Sequence, residues 1–239
     1  MSETGTTIEE IADGIYRIGT PIPPTVIAGG FSFNQFLILD DQPLLFHTGL
    51  RHLFPAVRGA IERVLPVEQL RFVAYSHFEQ DECGSLNEFL AAAPRAEAVC
   101  SRVGAMTCAS DLAIRPPRAL RDGERLALGR HEVVWWDAPH VPHGWDCGFL
   151  SETSTATLLC GDLFTQGGAG HPAVTEADVL GPSEAMRAQL DYWAHAPSTR
   201  ATLEKLARTR PRTLACMQGS SWRGDGAALL TALADAVGA

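Results

Sequence analysis

The chain has 239 residues, enough to bury a sizeable core in one large domain or two small ones. Hydrophobic residues make up 46% and charged residues 20%, the balance of a soluble globular protein. A net charge of −9 with no basic cluster argues against a nucleic-acid partner, because phosphate binding needs concentrated Lys and Arg. No run is long and apolar enough for a membrane span, and the polar start Met1-Ser2-Glu3-Thr4-Gly5 has no signal core, so a cytoplasmic protein without a membrane partner is expected.

Hydrophobic periodicity predicts a first strand over residues 11–19 and a hairpin from 31–39 and 43–46 around Asp40-Asp41-Gln42. Leu53, Val57, Ile61 and Val64 fall at helical spacing, and residues 70–75 read as a buried strand. Leu86, Phe89 and Leu90 mark a second helix stopped near Pro94, followed by a strand over 96–100 and a loop at Pro116-Pro117. A strand over 133–137 runs into Pro139-His140-Val141-Pro142-His143-Gly144-Trp145-Asp146. Strands over 148–151 and 156–160 flank a turn at Glu152-Thr153-Ser154, and the second ends in Gly161-Asp162. The Gly-rich residues 165–181 read as a long loop, a length that is usually functional. Ser183 and Ser198 suit helix N-caps, a strand over 213–217 ends in Gln218-Gly219-Ser220, and a last helix starts at Asp225. Strands and helices alternate without a linker, which predicts one α/β or α+β domain over residues 1–239, with polar clusters at four strand ends.

The densest of these clusters is Ser76-His77-Phe78-Glu79-Gln80-Asp81-Glu82-Cys83-Gly84, after the strand at 70–75. In an extended segment His77, Glu79 and Asp81 point the same way, at i, i+2 and i+4. Converging groups, two of them anionic, repel one another unless a cation lies between them, and a divalent metal is the natural occupant. His143, Asp162 and Gln218 are the polar residues at the other strand ends. One ion is expected on His77, Glu79 and His143, and a second on Asp81, with Asp162 bridging the pair as a two-oxygen ligand. His140 is the alternative to His143, though spacing to Gly148 favours His143. His47 reads as a turn or supporting residue, His171 as a candidate that reaches the site from the long loop, and His52, His131 and His195 as surface or structural. Trp145, Trp222 and Phe164 wall a pocket or belong to the core. The six cysteines form no C-x-x-C pair and read as reduced; Cys83 and Cys147 lie beside proposed ligands.

His-x-Glu-x-Asp followed by a strand-terminal His and Gly-Asp resembles the metallo-β-lactamase superfamily, whose usual signature is His-x-His-x-Asp-His with later His, Asp and His. Glu79 in place of the second His resembles the flavodiiron branch, and particularly the stand-alone oxygen-binding diiron proteins that share its core. The resemblance runs from the hairpin at Phe31 to the helix after Asp225. It implies a four-layer αββα sandwich with metals at the rim between two sheets. Carried over by position, His77, Glu79, His143 and Asp162 bind a first iron, and Asp81 with bridging Asp162 a second. Glu82 stands where the common signature has His, and Gln218 where the branch has its final ligand His. An amide oxygen is a much weaker ligand for iron than imidazole, so the second site is expected to be the weaker.

Three functions follow as expectations. An oxygen-rich ligand set suits iron or manganese, which favours a dinuclear non-haem iron protein that binds or reduces dioxygen, as an oxidoreductase or a sensor. With zinc, a metal-bound hydroxide would instead serve a hydrolase of phosphodiester, thioester or lactone bonds; Asp81 and Asp162 are the expected catalytic residues in either case. The third is a binding or sensing protein whose Gln218 has ended two-metal chemistry. The chain shows no flavodoxin-like segment, so electrons are expected from a separate donor protein. A homodimer is compatible with this reading.

Overall fold

A computed structural model of the chain, describing residues 5–238, places two seven-stranded sheets face to face. The first holds its strands in chain order: β1 (Thr7–Ala12), β2 (Ile15–Ile22), β3 (Phe31–Ile38), β4 (Leu44–Phe46), β5 (Phe72–Ala74), β6 (Glu97–Ser101) and β7 (Arg118–Leu120). It is antiparallel from β1 to β4 and parallel from β4 to β7. Parallel neighbours need crossovers. Helix α1 (Phe54–Ile61) supplies the first, and the short α2 (Gln80–Cys83) with α3 (Leu86–Ala92) the second. Between β6 and β7, α4 (Arg102–Gly104) and α5 (Ser110–Leu112) flank a π turn, Ala105–Ala109.

The second sheet contains β8 (Arg125–Ala127), β9 (Glu132–Asp137), β10 (Gly148–Glu152), β11 (Thr157–Leu159), β12 (Val174–Thr175), β13 (Thr213–Ala215) and β14 (Ser221–Arg223). Their order is β12-β14-β13-β11-β10-β9-β8. Strands β11 and β13 pair in parallel, and the chain between them forms α6 (Leu180–Leu190) and α7 (Thr199–Ala207). Helix α8 (Gly226–Val237) closes the chain, with the Asp225 side chain accepting from Ala228 N at its start.

Three apolar layers separate four layers of structure. Leu37, Leu45 and Val73 of the first sheet meet Val57, Ile61, Phe89 and Leu90 of α1 and α3. Phe36, Phe46 and Ala74, on the opposite face, meet Trp135, Leu150, Leu159 and Ala215 of the second sheet. The outer face of that sheet packs Phe149, Leu158 and Leu214 on Leu203, Leu206, Leu230 and Leu233. Strands buried on both faces lose the alternating pattern, which is why Phe31–Ile38 reads as a nearly continuous apolar run. The αββα sandwich expected from the resemblance is the architecture found.

Several boundaries differ from the sequence reading. The predicted first strand is a hairpin, β1 and β2, turning at Asp13-Gly14, where Gly14 has φ +67°. Strand β1 escapes a hydrophobic pattern because it lies at the sheet edge and is largely exposed, with Glu9 and Glu10 outward. The loop expected over 165–181 contains β12 and the first residues of α6, so Ser183 is a buried residue within that helix and not its cap. Ser198 does stand at the start of α7, without a side-chain cap bond. The short strands β7, β8, β12 and β14 carry two or three residues each, too few to show a period.

Candidate metal centre

The carboxyl ends of β5, β11 and β13 and the loop after β9 meet at one rim. Backbone bonds join them: Gly148 N donates to Ser76 O at 2.9 Å, Met217 N to Gly161 O at 2.9 Å, and Asn34 N to Met217 O at 2.8 Å. The segment after β5 presents His77, Glu79, Asp81 and Glu82 at this rim, and the other three present His143, Asp162 and Gln218.

His77, Glu79, His143 and Asp162 bring one ligand atom each within 4.8 Å of one another. Nε2 of His77 and Nε2 of His143 are 2.9 Å apart, and each lies 3.0 Å from Glu79 Oε2. Asp162 Oδ2 stands 3.5 Å from the first ring nitrogen and 3.3 Å from the second. Ligand bonds of about 2.1 Å at roughly tetrahedral or right angles require ligand–ligand edges of about 3.0–3.4 Å. The observed spacings match that frame, so the donor set fits a single divalent ion. His77 and Asp162 are buried at its floor, while Glu79 is half-exposed and His143 partly so at its mouth. His140 is exposed, and the part-exposed His171 donates from Nε2 to Gly167 O at 2.9 Å; neither joins the group.

The ring nitrogens opposite the ligand atoms are engaged. His143 Nδ1 lies 2.9 Å from Tyr192 O, an acceptor only, so Nδ1 carries the proton and Nε2 is left with its lone pair. When no ion takes up the two Nε2 lone pairs, protons there donate to Glu79 instead, from His143 and then His77, and hold its carboxyl well below the usual carboxylate range. Burial alone would lower His143, but its bond to Glu79 and the charges of Asp162 and Glu79 outweigh that and raise it.

Asp81 departs from the predicted geometry. Glu79 is extended, with φ −142° and ψ 159°, but the chain then turns into α2, closed by Cys83 N donating to Glu79 O at 2.9 Å. Asp81 therefore sits in a helical turn and its carboxylate projects beside the first group, together with Glu79 and Glu82. Burial, then the charge of Asp162, pushes Asp81 up to about 6. Glu82 is fully buried, and among the described residues neither of its oxygens meets a donor. Burial and the neighbouring Asp162 and Asp81 charges raise its pKa far above the normal range. Such a group must hold a proton or face a cation.

Gln218 reaches the same place but not as an oxygen ligand. Its Nε2 donates to Asp162 Oδ1 at 3.0 Å and to Asp81 Oδ2 at 3.3 Å, while its Oε1 accepts from Thr165 Oγ1 at 2.8 Å. Four supporting residues had no signal of their own in the sequence: Ser76, Thr165, Tyr192 and Asp146, whose Oδ2 accepts from Phe78 N at 2.9 Å and pins the loop before Glu79. Trp145 is exposed, whereas Phe164 and Trp222 pack into the core and line no site. Cys83 and Cys147 donate to the carbonyls of Glu79 and Val141 and stand outside the ligand group.

The model of the ODP family beta lactamases matches residues 31–193, more than half of the chain. The chain belongs to that family. Membership in the ODP family accords with relatives found by sequence. Rubredoxin-oxygen oxidoreductase of Megalodesulfovibrio gigas is 24% identical over 206 residues, 82% of this chain and 50% of that protein. Putative diflavin flavoprotein A 2 of Nostoc sp. is 25% identical over 141 residues, 58% of this chain and 24% of that protein. The chain thus spans between a quarter and a half of the curated relatives it matches. Among solved structures, the flavodiiron core of Flv1 from Synechocystis sp. superposes with a TM-score of 0.83 at 21% identity, over 97% of this chain and 60% of that one. A fragment of putative diflavin flavoprotein A 5 from Nostoc sp. gives 0.81 at 17%, over 98% and 95%. These likenesses place the ODP-family chain in the flavodiiron metallo-β-lactamase fold.

Proposed function

We propose that this chain is a non-haem iron protein that binds or reduces dioxygen, as one metallo-β-lactamase-like domain over residues 1–239 acting in the cytoplasm. The observation that carries the reading is the four-atom group of His77, Glu79, His143 and Asp162, two imidazoles and two carboxylates at the spacing of one ion's coordination shell. Half of those donors are carboxylate oxygens, a set that suits iron or manganese better than zinc. The Megalodesulfovibrio gigas relative, a rubredoxin-oxygen oxidoreductase, supports dioxygen as the small-molecule substrate and a separate protein as electron donor.

Iron held on these residues would supply the electron transfer that dioxygen chemistry requires. The chain's own contribution is orientation and charge. Tyr192 O fixes the His143 tautomer, Asp146 fixes the loop that carries Glu79, and Asp162 offers its second oxygen toward Asp81 and Gln218. The partly exposed Glu79 and His143 leave the mouth open to a small molecule.

The test is to load the metal-free protein with ferrous ion under anaerobic conditions, record its spectrum, admit oxygen, and follow oxygen uptake with a chemical reductant. Bands in the near ultraviolet and visible on oxygenation, with reductant-dependent uptake, are expected. A colourless protein that takes zinc in preference to iron and hydrolyses activated esters would replace this reading with that of a hydrolase.

A further inference from the structure

Asp162 divides its carboxylate between two environments. Oδ2 faces the His77 and His143 rings, at 3.5 and 3.3 Å, and Oδ1 accepts from Gln218 Nε2 at 3.0 Å. The same nitrogen lies 3.3 Å from Asp81 Oδ2. Gln218 thus stands between Asp81 and Asp162, the two carboxylates that would hold a second ion, and its two N–H donors satisfy both. The orientation is fixed chemically. A half-turn of the amide would set its oxygen against two carboxylate oxygens; on the other side, the Thr165 hydroxyl lies 2.8 Å from both Oε1 and Asp162 O and shares its one proton between them.

The loop that carries the amide is held from several sides. Gly219 O accepts from Arg17 Nη2 at 3.0 Å and from Asn34 Nδ2 at 2.8 Å, and Asn34 Nδ2 also donates to Cys216 O at 2.9 Å. Gly219 has φ +88°, and a Cβ there would lie 2.6 Å from Gln166 Cβ, so this turn requires glycine. Gln166 in turn bonds both backbone groups of Ser220. Gln218 is itself 4% exposed, which leaves little room for it to swing aside.

We propose that Gln218 is a neutral plug occupying the second metal position: its amide N–H groups take the place of a cation between Asp81 and Asp162, so that the chain holds one ion tightly and a second only by displacing the amide. This rests on the metal reading of the His77, Glu79, His143 and Asp162 group. It makes a prediction about sign that separates a plug from a weak ligand. Removing a ligand weakens binding of the second ion; removing a plug strengthens it, because Asp81 Oδ2 and Asp162 Oδ1 lose the N–H groups between them, beside a Glu82 that already meets no donor.

The experiment is anaerobic equilibrium dialysis against ferrous ion in the presence of a competing chelator, with iron counted per chain, for the wild type, Gln218→Ala and Gln218→Ser. The wild type is expected to retain one ion per chain. Both variants are expected to bind a second ion at least about 10-fold more tightly than the wild type does, the lower end of effects seen when groups around a metal are altered. The metal-free variants should also melt at a lower temperature than the metal-free wild type, since two buried carboxylates lose their donor. Retention of the first ion shows that each variant is folded, and Gln218→Ser keeps a small polar group on the loop if Gln218→Ala does not. A second ion bound equally or more weakly in the variants would overturn the plug, as would two equally tight ions in the wild type. Failure of the wild type to bind any ion would overturn the metal reading itself, and the plug with it.

Discussion

His47 and His77 are linked through a single hydroxyl: Ser76 Oγ lies 3.0 Å from His47 Nε2 and 3.0 Å from His77 Nδ1. Burial, and then the nearby His77, lowers the His47 pKa well below its usual value, so this ring is neutral. Its Nδ1 faces Met217 Sδ at 3.1 Å, a weak acceptor, which places the proton there and leaves Nε2 to accept from the Ser76 hydroxyl. The Ser76 oxygen then accepts from His77 Nδ1–H, and His77 Nε2 keeps its lone pair for the ligand group. His47 thereby sets the tautomer of His77 from the far side of one serine.

Ser76→Ala should therefore weaken binding of the first ion by about 10- to 100-fold while leaving the fold intact. A chelator competition titration measures this. Unchanged affinity would show that His77 keeps its tautomer without the hydroxyl.

The choice between His143 and His140 is tested in the same assay. His143→Ala removes one of four ligand atoms and should lower affinity by at least about 100-fold, whereas His140→Ala, exposed and outside the group, should stay within about 3-fold of the wild type. The opposite ranking would transfer the role to His140.

Glu79 gives the ligand set its second carboxylate, and Glu79→His would make it three imidazoles and one carboxylate. With zinc and ferrous ion supplied in equal amounts, the variant is expected to load more zinc relative to iron than the wild type, by roughly 10-fold. Elemental analysis after gel filtration reads the ratio. An unchanged ratio would mean that Glu79 does not set metal preference.

Glu152 makes a prediction about acid stability. It is buried at the turn between β10 and β11, where His131 Nδ1 stands 3.0 Å away, and it accepts from Ser154 N at 2.9 Å and Thr155 N at 2.8 Å. Burial alone would raise its pKa, but the bonds from Ser154 and Thr155 outweigh burial and bring it down to about 2. A folded-state pKa below the unfolded value gives stability that is complete above the unfolded pKa of about 4.3 and disappears as pH falls toward the folded value. Urea unfolding across this range should show the wild type losing about 2 kcal/mol more than Glu152→Gln between about pH 5 and pH 2, after allowance for solvent screening. Parallel acid limbs for the two proteins would refute it.

Much of this protein is legible in one dimension. The helices α1, α3 and α8, the strands from Phe31 to Phe46 and the strand before His77 follow from apolar period and caps, because burial on one face or two imposes a pattern on neighbouring residues. His77, Glu79, His143 and Asp162 were visible because the strands that carry them end in polar residues, and a strand end at a sheet rim is where a side chain can face a gap rather than a core. The tertiary structure alone decided the rest. The turn of α2 moved Asp81 out of the extended register with His77 and Glu79, since a backbone bond from Cys83 to Glu79 closes a helix that no local pattern of four residues can announce. The orientation of the Gln218 amide depends on Asp81 and on Asp162 and Thr165, which approach it from two other segments of the chain. A sequence names a side chain's donors and acceptors; which of them faces a neighbour is settled by charges that only folding brings within hydrogen-bond reach.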